Sequence, residues 1–288
     1  MRIGFIGAGK VGTAFGRFLH MKGLSISGYY DRHPEKVDHA AQSTQSRACQ
    51  DAGQVAATSD IVLITTRDDQ IKGVCQDLCR ESAFGPNHLV GHMSGAHASQ
   101  ILSDAADFGA AVFSLHPLQA FAHEEKALAD LEATYFSLEG SDERLISIED
   151  ILRKTGNRFF RIAPQHKQIY HLAACILSNY LVTLMDLGIT ALQESGIDSA
   201  EGFAAMRPLI EGTLANIARI GPAKALTGPI ARGDATTISQ HLDALDAQGL
   251  EALKHAYLFL GQKTLELATQ AVLKEPEKAK TLAQLLKN

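Results

Sequence analysis

Positive charge is in short supply in this chain. Its 288 residues carry 27 Lys and Arg against 32 Asp and Glu, a formal net charge of −5, with a pI near 6.2. There is no basic footprint to follow a nucleic-acid backbone or an anionic membrane surface, so neither partner is expected. Cysteine is scarce too, limited to Cys49, Cys75, Cys79 and Cys175. Cys75 and Cys79 lie four apart on an expected helix and no second pair completes a zinc site or a disulfide framework. No metal is expected, and the thiols read as buried or idle groups of a reducing cytosol. The N-terminal apolar run is broken at once by Gly7 and Gly9, so no signal segment is expected and the protein reads as cytoplasmic. Only Ile169 to Leu192 approaches membrane-spanning length. His171, Asn179 and Asp186 interrupt it and no basic flank orients it, so a long core helix of a soluble protein is expected instead.

What the chain does have begins at its first residues. Arg2 to Ile6 is a short apolar strand, followed by Gly7-Ala8-Gly9-Lys10-Val11-Gly12 and a helix whose apolar positions are Val11, Ala14, Phe15, Phe18 and Leu19. Strand, G-x-G-x-x-G and helix together make a dinucleotide-binding loop. Gly7 permits the tight turn, Gly9 lets backbone approach a pyrophosphate, and Gly12 allows the helix to pack closely on the strand. The unpaired N–H groups of the helix N-terminus face the anion.

Further strands are expected at Leu24–Asp31, Ser59–Thr66, His88–His92, Ala110–Leu115, Thr134–Leu138 and Arg158–Ile162, with helical patterns between most of them. Such alternation predicts a doubly wound, mostly parallel α/β sheet, the Rossmann arrangement. From Pro164 onward the pattern is helical throughout, with stretches at 165–194, about 200–219, 234–247 and 249–272. The expected organisation is therefore a dinucleotide-binding domain over 1–163 and an all-α substrate and dimerisation domain over 164–288.

The end of the second strand bears on the choice of cofactor. Asp31 stands nineteen residues after Gly12, where a carboxylate would take the ribose 2′-OH of NAD, and Arg32 follows where a guanidinium would take the 2′-phosphate of NADP. Both remain open, with NADP slightly favoured. Thr65 and Thr66 end the Ser59–Thr66 strand, where ligands gather in such folds, and are cofactor contacts in the same reading.

Two polar strand ends, His92-Met93-Ser94-Gly95-Ala96 and Ser114-Leu115-His116-Pro117-Leu118-Gln119, should open towards the nicotinamide end. Ser94 and His116 could there hydrogen-bond a carbonyl oxygen as a hydride transfers, and Gln119 could contact substrate. For His92 and His97 a structural role is the expectation. On the long helix His171, Cys175, Ser178 and Asn179 fall at i, i+4, i+7 and i+8 and share a face, either a buried network or the substrate-facing wall, with the wall preferred. Asp234 is placed to cap the helix bearing His241 and Leu242. Beside it, Arg232 reads either as part of a plain loop or as a bidentate clamp for a substrate carboxylate.

The arrangement resembles the beta-hydroxyacid dehydrogenase superfamily, which includes 6-phosphogluconate dehydrogenase, ketopantoate reductase and pyrroline-carboxylate reductase. Several of those carry Lys-x-x-x-Asn on the helix after the Rossmann domain, a motif this chain lacks: Lys167 is followed four residues later by His171. Tyr30-Asp31-Arg32-His33-Pro34-Glu35-Lys36 resembles the Asn-Arg-Ser/Thr-Pro-Glu-Lys pattern of NADP-dependent pyrroline-carboxylate reductase-like enzymes, with Asp in place of Asn. More closely, the chain resembles a bacterial family of Rossmann-like proteins with a helical C-terminal domain of unknown function, whose members are often labelled NADP oxidoreductases. The matching stretches are the glycine loop, His92 to Gly95, Leu115 to Gln119, Tyr170 to Ala174, Ser178 to Tyr180 and Leu226 to Asp234.

The resemblance implies an NAD(P)-dependent oxidoreductase of a small, carboxylate-bearing keto or hydroxy acid, ketopantoate-like compounds among them. His116 or His171 would be the proton donor, Ser94 and Asn179 would orient the carbonyl, and Arg232 would hold the carboxylate. The missing lysine motif leaves one alternative, a non-catalytic dinucleotide-binding sensor or scaffold, because a Rossmann fold alone does not specify chemistry. The amount of apolar helix in the second half predicts a homodimer.

Overall fold

The structure, a computed structural model, describes residues 1–287. The strands are β1 (Arg2–Ile6), β2 (Ser25–Tyr30), β3 (Arg47–Ala48), β4 (Ile61–Ile64), β5 (Leu89–His92), β6 (Ala111–Pro117), β7 (Phe136–Glu139) and β8 (Phe159–Arg161). They form one sheet in the order β3-β2-β1-β4-β5-β6-β7-β8. Among the described residues only β6 and β7 pair antiparallel; their register places His116 opposite Ser137. The first six strands thus follow the 3-2-1-4-5-6 order of dinucleotide-binding domains, whose ligand crevice opens where the order reverses, at the carboxyl ends of β1 and β4.

The sequence accounts for this layering. All four residues of β4 are buried, as a strand covered on both faces requires. In α1 (Lys10–Met21) Ala14, Phe15, Phe18 and Leu19 are buried on one side, and Phe5 of β1 stacks on Tyr29 of β2 with ring centroids 5.0 Å apart. Each fully buried Phe contributes about 2 to 3 kcal/mol. α2 (Pro34–Ser43) joins α1 in the same core through Val37, Ala40 and Ala41, whereas α3 (Ala52–Thr58) and α4 (Ile71–Arg80) build a second core with Val62 and Ile64 on the other face. Burial pushes the Cys75 thiol of α4 up to about 12, an inert thiol as expected. Cys175 differs in being only half-buried. The two-residue β3 carries no apolar alternation and could not be read from the sequence.

The remaining helices of this part are α5 (Ser103–Asp107), α6 (Glu124–Asp130), α7 (Ile146–Thr155) and α8 (Lys167–Leu177). The chain divides into two compact units, Met1–Tyr180 and Leu181 onward. The first helix after the sheet, α8, therefore belongs to the Rossmann unit, seventeen residues beyond the boundary suggested by the change in pattern.

Beyond it run α9 (Asn179–Glu194), α10 (Ser199–Ile220), α11 (Pro222–Ala225), α12 (Pro229–Arg232), α13 (Ala235–Ala247), α14 (Glu251–Ala271) and α15 (Pro276–Leu285). Among the described residues no strand follows Arg161. The second unit has its own core, including Ile238, Leu265, Leu282 and Leu286. Asp234 caps α13 by accepting from Thr237 N at 3.1 Å. The expectation of a buried core helix over Ile169–Leu192 is not met within one chain. The helical run Pro164–Glu194 has a mean hydropathy of 1.7 and is long and apolar enough to cross a membrane, yet none of its apolar window is buried. Ile169, Leu177 and Val182 are 62%, 76% and 70% exposed.

Candidate active site

The loop after β1 has the geometry its glycines require. Gly7 sits at φ +112°, and a Cβ there would lie 2.7 Å from the Thr65 carbonyl carbon. Gly12 packs so closely that a Cβ would lie 2.4 Å from the Gly7 oxygen, whereas a Cβ on Gly9 would meet nothing within 4 Å. Open space above Gly9 at the N-terminus of α1 is the cradle a pyrophosphate needs. Thr65 donates to the Gly7 carbonyl at 2.6 Å and so holds the loop.

A cavity of about 500 Å³ continues from Gly7 and Gly9 past Asp31, Arg32, His33, Lys36, Thr65, Thr66 and Arg67. The Asp31 carboxylate faces inward: one oxygen accepts from Ala8 N at 3.0 Å and the other from His33 N at 3.0 Å and the His33 ring at 2.9 Å. Burial pushes against ionisation, yet these hydrogen bonds hold Asp31 below the usual carboxylate range. Its oxygens clip the glycine loop, while Arg32 beside it is exposed. The side chain of Lys10, expected to contact cofactor, donates to the Ala122 carbonyl at 2.7 Å.

A second polar cluster lies at the carboxyl ends of β5 and β6, covered by α8. Lys167 is 1% exposed. Its Nζ donates to Ser114 Oγ at 2.9 Å and to the Ser94 carbonyl at 3.3 Å, and it stands 5.6 Å from the Tyr170 ring centroid. No carboxylate lies within ion-pairing distance among the described residues. Burial pulls the ammonium down to about 8, against the opposing pull of Glu139 and Asp68.

Next to it, His116 Nδ1 and the Tyr170 hydroxyl are 2.8 Å apart. Burial, reinforced by the Lys167 charge and then by His171, pushes His116 down to about 4, so its imidazole is neutral at physiological pH. The His116 and His171 rings are 6.2 Å apart. Their Nε2 and Nδ1 converge on Gly95, where a Cβ would lie 2.7 Å from each. His171 Nδ1 is buried without a partner, and its Nε2 is 3.6 Å from Cys175 Sγ.

The structure thus brings His116 and His171 together and adds Lys167 and Tyr170, which motif reading passed over. The signal for Lys167 was its place one helical turn before His171. Other expected residues are engaged elsewhere. Ser94 donates its only proton to Asp68 at 2.7 Å while accepting from the N–H groups of Ala96 and His97, and so ties two strand-end loops together.

Gln119, expected at the substrate, donates to the Ala127 carbonyl at 2.7 Å and accepts from Thr134 at 2.6 Å, so both ends of its amide are used within the fold. His92 is buried, accepts from Ser94 N and reaches the Ala98 carbonyl, a structural role as expected. The shared helical face also breaks: Ser178, at φ −118° and ψ −68°, separates α8 from α9. Asn179 opens α9 as an exposed residue and does not join His171. Arg232 is exposed in the second unit, in the last position of α12.

These features define a dinucleotide-binding Rossmann unit with a buried polar cluster at its strand ends. Residues 1–117 match the Rossmann-like domain, and residues 134–264 match the domain of unknown function DUF2520. No curated protein matches the chain.

Among solved structures it resembles a candidate NADP oxidoreductase from Bacteroides fragilis, with 22% identity, TM-score 0.73 and coverage of 91% of this chain and 97% of that one. An imine reductase from a Pseudomonas species shares 18% identity at TM-score 0.65, covering 93% and 97%. A pyrroline-5-carboxylate reductase from Coxiella burnetii shares 17% at TM-score 0.58, covering 97% of each chain. At these identities the likeness is one of fold.

Proposed function

We propose that the protein is an NADPH-dependent reductase of a small carbonyl compound, with a 2-keto acid as the substrate class. The observation that carries this reading is Lys167, a buried ammonium held only by neutral acceptors. An uncompensated buried charge is costly, and a cluster that retains one is suited to an anion. Carbonyl reduction develops negative charge on oxygen, whereas reduction of an iminium brings a second positive charge beside Lys167.

Fit to the cofactor rests on the open cradle above Gly9 and on Arg32, Lys36 and Arg67 along the same cavity, cations suited to a 2′-phosphate. The B. fragilis protein of similar fold, described by its NADP, supports the same choice. Bound reduced nicotinamide would supply a hydride to the carbonyl carbon. The residues of this chain bind and orient: the neutral His116 hydrogen-bonds the oxygen, and Lys167 provides the positive field and, near pH 8, the proton reservoir.

A second copy of the chain is the proposed cover for the unburied apolar face of α8 and α9, since apolar exposure on this scale marks an interface. Sedimentation at micromolar concentration should give a dimer, and a monomer would refute that part. The functional reading is tested by NADPH oxidation across a panel of 2-keto acids that includes ketopantoate, alongside cyclic imines. Turnover of a keto acid that is lost in well-folded His116→Ala and His171→Ala supports it. NADPH binding without turnover of any member would favour the non-catalytic alternative.

A further inference from the structure

Ser94 bonds in two directions, and the atoms involved fix which of them donates. Its Oγ accepts from Ala96 N at 3.2 Å and from His97 N at 3.3 Å, so its own proton goes to the Asp68 carboxylate at 2.7 Å. Its carbonyl accepts from Lys167 Nζ at 3.3 Å and from Ser114 Oγ at 3.2 Å, and Lys167 donates in turn to Ser114 Oγ at 2.9 Å. An ammonium or a backbone N–H only donates, and a carbonyl oxygen only accepts. Asp68 is the outer end of this chain of bonds. It is exposed, whereas Ser94, Ser114 and Lys167 are buried. It begins the short turn Asp68–Gln70, directly after Thr65, Thr66 and Arg67 on the wall of the dinucleotide cavity.

We infer that Asp68 and Ser94 are positioning residues: Asp68 holds the Ser94 hydroxyl, and this fixes the Ser94 carbonyl as a seat for the Lys167 ammonium. Hydroxyl and carbonyl belong to one residue, so releasing the first moves the second. A buried ammonium held by neutral acceptors depends on where those acceptors stand. An exposed carboxylate keeps most of its hydration, so Asp68 anchors a buried hydroxyl without the cost of burying a charge. The link joins the loop that lines the cofactor cavity to the lysine at the strand ends. Burial, and after it the Lys167 charge, pushes His116 on β6 and His92 on β5 down to about 4, so both are neutral where Lys167 titrates. Glu139 at the end of β7, and Asp68 after it, favour the ammonium. Tyr170, raised by burial, and His171 accompany Lys167 on α8.

The inference rests on the proposed reductase reading only for the use made of Lys167; the seating of its ammonium is observed without turnover. The test is a pH titration of lysine side-chain signals by NMR in the full-length protein, the Lys167 signal being the one absent from Lys167→Met. Its midpoint should lie at about 8 in the wild type. In Ser94→Ala and Asp68→Ala it should lie about one pH unit lower, the scale of one lost hydrogen bond to a charged group. Asp68→Asn keeps an oxygen within reach of the Ser94 hydroxyl and should recover most of that shift.

On the same samples, the alkaline limb of kcat for the best keto acid should move down with the midpoint. A role confined to stability would lower the melting temperature and leave the midpoint in place, which overturns the inference. An Asp68→Asn midpoint as low as that of Asp68→Ala overturns it too, since the lost charge alone would then account for the shift. If Ser94→Ala does not fold, the two Asp68 variants decide by themselves. If the wild type reduces nothing, the proposed reaction fails while the titration still decides the positioning.

Discussion

Replacing Lys167 with Met should stabilise the protein at neutral pH while abolishing its activity. Burial lowers Lys167 from 10.5 to about 8, and each pH unit of such a shift corresponds to about 1.4 kcal/mol. The fold therefore loses about 3 kcal/mol by keeping the ammonium charged. Met preserves most of the volume and removes the charge. The Ser94 carbonyl keeps a donor in Ser114 Oγ at 3.2 Å, so little is left unsatisfied. Setting two lost hydrogen bonds at about 1 kcal/mol each against that cost leaves a net gain of about 1 kcal/mol or more. Melting of the Rossmann unit should rise by about 2 to 4 °C at pH 7.

The pH dependence has a definite sign. Between about pH 8 and 10.5 the unfolded chain binds the lysine proton and the folded one does not, so wild-type stability rises with pH across that window. The advantage of Lys167→Met should shrink over the same range. Calorimetry at pH 7 and pH 10 measures both effects. A melting temperature lowered by the substitution at pH 7 would show that Lys167 is a structural group and would remove the argument for an anion-selective site.

Activity should decline as pH rises through about 8, where Lys167 loses its ammonium, and should show no matching loss on the acid side until near pH 4, where His116 gains a proton; a flat profile between pH 7 and 9.5 would contradict this. Gly95→Ala places a Cβ 2.7 Å from His116 Nε2 and His171 Nδ1, so both imidazoles have to shift, and kcat should fall on the order of tenfold to hundredfold with cofactor affinity intact; full activity in that variant would mean that the paired imidazoles do not act on substrate. Arg32→Ala should raise the KM for NADPH on the order of tenfold or more through loss of a charge-assisted phosphate contact and leave the KM for NADH nearly unchanged; equal effects on both cofactors would assign Arg32 a different role.

The parts of this protein that depend on local sequence were legible in it. The glycine loop, the apolar run of β4 and the switch to helix after Pro164 follow from turn chemistry, two-sided burial and periodicity, and the sheet has the expected doubly wound form. The site was only half legible. His116 and His171 were found because polar residues at a strand end and inside an apolar helix stand out against their surroundings. Lys167 was set aside because it lacked an asparagine partner in sequence, whereas its significance comes from the packing of α8 over Ser94 and Ser114, residues 73 and 53 positions away. Ser94 and Gln119 looked available because their partners Asp68, Ala127 and Thr134 are brought to them by other elements. Asn179 was placed on the His171 face on the assumption of an unbroken helix, and the break at Ser178 removes it.

Hydride transfer itself is the central claim, and it can be followed atom by atom. The protein should be incubated with NADPH carrying deuterium at the transferable position of the nicotinamide ring, together with the 2-keto acid panel, and the products examined by mass spectrometry and NMR. The account predicts a 2-hydroxy acid bearing one deuterium on the former carbonyl carbon, and none formed by Lys167→Met. Bound NADPH with no deuterium in any product, or deuterium delivered to cyclic imines but to no keto acid, would contradict it.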